Sequence, residues 1–214
     1  MMELPALDSG ADFAPCPEGT HLAACVGVID LGTQHDQYEG ETKIQHKLWI
    51  TWETTEEMNE EGKPFRIGKQ YTLSMHEKSA LRRDLEAWRG ERFQPEDVGP
   101  GGRFDIKNLL GATAFLSIGR TKSGKAKVVS VIKPPKGTPR KVEETESTLD
   151  FLSLTAVEFD RDVVDRLPDF LREMVTASPQ YKDLVRPPEP QSSADIPGTP
   201  QLQRDPLDAD STPF

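Results

Sequence analysis

Cysteine is nearly absent from this 214-residue chain: Cys16 and Cys25 are the only two. They show no metal-ligand spacing, and so few thiols argue for a reducing compartment and against a disulfide-stapled secreted module. Long apolar runs are missing too. No stretch approaches the ~20 residues of a membrane span, and the opening MMELPALDSGADF lacks the basic start and apolar middle of a secretory signal. The expectation is a soluble, cytoplasmic protein with no membrane contact. Catalytic groupings are also wanting. His21, His35, His46 and His76 keep no zinc spacing with either cysteine. Glu56, Glu57, Glu60 and Glu61 have no histidine close by in sequence and read as a solvated turn. GRTKSGK superficially resembles a phosphate loop, but it joins two strand patterns instead of a strand to a helix. No enzyme activity, metal or cofactor is expected.

Basic charge is scarce at both ends. Residues 1–17 hold three acids and no base, and residues 142–214 hold six bases against 16 acids. The middle reverses the balance, with 20 bases against 17 acids in residues 18–141 and no acid at all in residues 108–141, which carry eight bases. The formal net charge of -10 therefore hides a bipolar chain whose middle can meet a polyanion. Composition divides the chain into a flexible leader (1–17), a folded domain (18–141), a helical extension (142–185) and an acidic tail (186–214). The tail has seven prolines in 29 residues, which predicts disorder.

Period-2 patterns predict the strands. In THLAACVGVIDLGT, Leu22, Ala24, Val26 and Val28 alternate with the other face, and a polar loop, QHDQYEGE, follows. In TKIQHKLWITWETT, Ile44, His46, Leu48, Ile50 and Trp52 share a core-like face, opposite Lys43, Gln45, Lys47, Trp49 and Thr51. IGKQYTLSM gives a third strand. The period then changes: Ser74 and Glu77 have capping-box spacing, Leu81, Leu85 and Trp88 fall on one helical face, and Gly90 stops the helix. ATAFLSIGR and AKVVSVIKP, joined by TKSGK, complete five strands with a helix between the third and fourth. That order predicts a mainly β, five-stranded OB-fold barrel, with an SH3-like barrel as the competitor. Residues 160–175 predict a helix kinked at Pro168, which either packs on the barrel or mediates self-association.

Single-stranded nucleic acid asks for cations along its backbone and aromatic faces for its bases. Lys43, Lys47 and Trp49 on the second strand, Lys69 and Tyr71 on the third, and Arg120, Lys122, Lys125 and Lys127 around the basic hairpin are the candidates. Trp49 either stacks on bases or packs in the core. Tyr38 is a further stacking candidate, whereas Trp52 and Trp88 are assigned to packing.

The blocks PEGTHLAACVGVIDLGTQ, ETKIQHKLWITWET, GKQYTLSMHEKSALRRDLEAWRG and FDIKNLLGA resemble phage-encoded single-stranded DNA-binding proteins. The resemblance implies an OB-fold, sequence-tolerant binding of single strands, and a role in phage DNA replication or recombination within a bacterial cytoplasm. The ending DADSTPF resembles the acidic tip of bacterial single-stranded DNA-binding proteins. Here Asp208 and Asp210 supply the acids and Pro213 and Phe214 the final pair, although Ala209 interrupts the acidic run. That likeness implies recruitment of replication or recombination proteins, with Phe214 in an apolar pocket and its carboxylate on a cation. The alternative reading is an OB-like adaptor, or an inhibitor of a host protein, that never handles DNA.

Overall fold

The computed structural model describes residues 15–38, 41–98, 101–139 and 149–186, the side chains of residues 37 and 38 excepted. Most of the expected leader and nearly all of the expected tail lie outside that set. Of the leader, Cys16 is described, and it is buried in the core.

Five strands pair antiparallel in the order β3-β2-β1-β4-β5: β1 (Gly19–Tyr38), β2 (Glu41–Met58), β3 (Pro64–Thr72), β4 (Thr113–Arg120) and β5 (Ala126–Ile132). Between β3 and β4 lies α1 (Ala80–Arg89). Two single 3-10 turns, Pro95–Asp97 and Ile106–Leu109, carry the chain from α1 to β4. The outermost strands, β3 and β5, bring Cα atoms within 8 Å of each other, and α1 touches both. Lys133 N, just past β5, donates to Ala87 O at 3.1 Å.

Alternation explains most of the core. Leu48, Ile50 and Trp52 point inward from β2 as expected, meeting Leu116 and Ile118 of β4, Val128 and Val131 of β5, and Leu81, Leu85 and Trp88 of α1. The rings of Trp52 and Trp88 lie 5.9 Å apart, and Trp88 Nε1 donates to Thr113 O at 2.6 Å. Each such side chain taken out of water stabilises the fold by about 1.5–3 kcal/mol. On β1 the alternation slips. Register shifts between Cys25 and Gly27 and between Asp30 and Gly32 mark bulges, so Ala23 and Cys25 face this core before the first bulge and Val28 after it. The even-numbered face predicted from Leu22 onward is thus broken in the middle.

Two boundaries differ from expectation. Most of the stretch predicted as a polar loop after β1 is strand: pairing continues to Tyr38 opposite Glu41, so residues 33–38 and 41–46 form a two-stranded arm beyond the start of β3's pairing at Lys47. Ile44 keeps its place in the alternation but has outrun the core, and is 64% exposed. Helix α1 begins later than Ser74. Ser79 is its N-cap, its Oγ accepting from Arg82 N at 3.1 Å, and Gly90 ends it at φ 74°. Ser79 wins because it stands immediately before the first helical residue, Ala80, and two before the first buried one, Leu81.

The extension packs on the sheet. A short strand, β6 (Asp150–Leu152), pairs parallel with β1 at Gly27 to Ile29, followed by α2 (Arg161–Arg166), α3 (Asp169–Ala177) and α4 (Pro179–Val185). Pro168 separates two helices instead of kinking one. Leu152, Val163, Val164, Leu167, Leu171 and Val175 build a second core on Ile29 and Leu31, with Trp49 against it. Gly32 (φ 67°) lets α3 and α4 come close, since a Cβ there would stand 2.6 Å from Ser178 Cβ. Beside it, Gln180 Oε1 accepts from Thr33 N at 2.9 Å and Gln180 Nε2 donates to Thr33 Oγ1 at 2.7 Å.

Candidate nucleic-acid interface

The register of β1 places two projections at its opposite ends. Its last residues form the arm, while its first, Gly19, pairs with Ile118 next to the turn between β4 and β5. That turn is a compact finger organised by Thr121, whose N donates to Lys125 O at 2.8 Å and whose Oγ1 accepts from Lys125 N at 3.0 Å. Lys122, Lys125 and Lys127 are exposed, and none has a salt-bridge partner among the described residues. Arg120 does not share their setting. It is partly buried, its Nη1 is enclosed without a hydrogen-bond partner, and its charge bears on Cys16 inside the core.

The other candidates divide between two faces of the sheet. Lys69 and Tyr71 pair with Ile50 and Leu48, so they share the core side, away from Trp49. Tyr71 is 3% exposed, and its hydroxyl donates to Asp84 Oδ2 of α1 at 3.0 Å. Burial, then the Asp84 charge, pushes its phenol well above the ordinary tyrosine range. Lys69 Nζ donates to the same oxygen at 2.6 Å and lies 5.2 Å from the Tyr71 ring centre. Both residues therefore tie β3 to α1 instead of presenting an open surface. Alternation could group Lys69 with Tyr71, but not reveal that their shared face turns inward.

On the outer face, Lys47 is already engaged: Nζ lies 2.8 Å from Asp36 Oδ2 and 2.7 Å from Gln45 Oε1, with the side chain 11% exposed. Lys43 stands exposed on the arm. Trp49 is half-buried. Its indole lies on Gly68, where a Cβ would be 2.2 Å from Cζ2, and Nε1 donates to Thr51 Oγ1 at 3.1 Å. Phe170 of α3 meets it edge to face, ring centres 5.3 Å apart at 71°. Between the sheet and α3 lies a groove of about 180 Å³, bordered by Trp49, Thr51, Arg66, Gly68 and Phe170. Phe170 falls near the apolar helical stripe in sequence, but the Pro168 break resets the phase and leaves it 50% exposed. A larger cleft, about 750 Å³, lies at the far end of β5 from the finger, among Trp88, Arg89, Phe104, Lys133 and Pro134. The tip residues Asp208, Asp210, Pro213 and Phe214 lie outside the described residues, as does the side chain of Tyr38.

Asp30 links sheet, arm and extension. Its Oδ1 accepts from Gly32 N at 2.8 Å and from His46 Nε2 at 2.5 Å, and its Oδ2 accepts from Leu154 N at 3.3 Å. The hydrogen bond to Asp30 raises the His46 pKa above its ordinary 6.5, against the opposing effect of burial. A raised folded-state value means that the stabilisation is complete below the unfolded value and is lost as pH rises through the folded one. The thermal midpoint advantage of the wild type over His46→Gln is therefore expected to shrink on going from about pH 6 to about pH 8. An advantage independent of pH would contradict this.

No helix among the described residues is long and apolar enough to cross a membrane. No family model matches the chain, and no curated protein matches it.

Proposed function

We propose that the protein binds single-stranded DNA through an OB-type barrel and serves phage DNA replication or recombination as a coating protein. The observation that carries this reading is the strand order β3-β2-β1-β4-β5 with α1 between β3 and β4, together with the approach of β3 to β5. That is the strand plan of the OB-fold, whose second and third strands and flanking loops receive oligonucleotides. The arm, built from the ends of β1 and β2, and the finger between β4 and β5 support the reading by their order in the chain, and the finger's lysines supply exposed positive charge. Recruitment of replication or recombination proteins through the tip rests on the likeness of its last residues to bacterial tips.

A fluorescent oligothymidylate titrated with the protein at two salt concentrations tests the reading. Binding should weaken with salt and greatly exceed binding to a duplex of the same length. Equal affinity for the duplex defeats it. The adaptor reading draws support from two exposed apolar side chains, Ile44 on the arm and Leu73 just past β3, whose N donates to His46 O at 2.8 Å. An adaptor would ignore the oligonucleotide altogether.

A further inference from the structure

We propose that the C-terminal extension is part of the nucleic-acid site, with Phe170 of α3 and Trp49 of β2, already in edge-to-face contact, together forming the aromatic wall of a groove that receives one unstacked nucleobase. The inference rests on the single-strand-binding reading and names a site within it. The groove measures about 180 Å³, below the ~300 Å³ at which ordinary small-molecule pockets begin, so it suits one ring system better than a peptide helix. Gly27 leaves part of its floor without a side chain, while the space over Gly68 is taken by the Trp49 indole itself. Trp49 is fixed in place by Gly68 beneath it and by its hydrogen bond to Thr51, so stacking on it costs little ordering of the side chain.

Phe170 is the unusual member. A phenylalanine on a helix that contributes Leu171 and Val175 to the second core would be expected to bury its ring; instead, half of its surface remains open beside Trp49. Arg66, on the groove border, brings a largely exposed guanidinium whose Nε donates to Glu53 Oε2 at 3.1 Å. Glu53 partners this guanidinium and Asp150 also borders the groove, so it is the two aromatic rings, and not local positive charge, that suit a base here.

The test uses the full chain and an oligothymidylate, following tryptophan emission and oligonucleotide anisotropy together. Trp52 is fully buried and Trp88 nearly so, with only an edge on the far cleft, so a change in emission that Phe170→Leu and Phe170→Ala abolish reports on Trp49. Phe170→Leu keeps an apolar contact for Trp49 and removes only the ring. It should weaken binding about fivefold or more, the low end for one lost base stack. Phe170→Tyr should restore affinity to within about twofold, since its ring stacks equally well. Phe170→Ala should weaken binding at least as much as leucine does. If the wild type binds while Phe170→Leu binds equally well and the emission does not change, the slot is wrong and the single-strand reading stands. If the wild type does not bind, the reading itself fails. A shift in Trp49 emission with a proline-rich peptide but not with DNA would overturn the proposal in favour of a peptide groove.

Discussion

Replacing Lys122, Lys125 and Lys127 together with glutamine is expected to cost on the order of a hundredfold in affinity for oligothymidylate at low salt, with little change in thermal stability. Each phosphate neutralised on a single strand contributes about 0.7 to the slope of log affinity against log salt, so losing three contacts should flatten that slope by about 2. The fold should tolerate the change because all three side chains are exposed and none is in an ion pair among the described residues. Titrations across a salt series read both quantities. A slope unchanged from the wild type would remove the finger from the interface.

The largest effect on stability is expected at Asp84. This carboxylate, its side chain 8% exposed, accepts from both Lys69 and Tyr71 through Oδ2. Asp84→Ala strands an ammonium and a phenol hydroxyl together. Breaking a buried pair on one side costs about 3–5 kcal/mol, and the partial exposure of Lys69 places this case near the lower end. Urea unfolding should show the loss. The double variant Asp84→Ala with Lys69→Met should recover part of it, because the stranded charge is gone. A single-variant loss below about 1 kcal/mol would mean that water takes over the role of Asp84.

The sequence made the element order legible because most strands have one buried face and α1 has one buried stripe; β1, buried on both faces from Ala23 to Ile29, is the exception. Elsewhere this one-sided burial leaves a period that can be counted. Leu48, Ile50 and Trp52 inside, and Leu81, Leu85 and Trp88 opposite them, follow directly from it. What periodicity cannot report is what lies over a given face. Trp49 is correctly placed on the side away from the core, yet a second core formed by residues more than a hundred positions later half-covers it. Lys47 has the chemistry of a phosphate ligand, but Asp36 engages it across a hairpin that a polar composition disguises as a loop. Lys122 and Lys125 on the tight turn and Lys127 on β5 are exposed, with no ion pair among the described residues.

The handing-over of β1's far edge bears on how the molecule is made. The edge is taken by β4 as far as Ala24, by β6 at Gly27 to Ile29, and by Gln180 at Thr33. During synthesis from the amino end, this first strand stays incompletely paired until nearly the last described helix has emerged. Bringing such distant partners together is entropically slow, and a ribosome-bound or proteolysed chain lacking residues 149–186 would leave Ile29 and Leu31 bare next to unpaired backbone, an invitation to association with other strands.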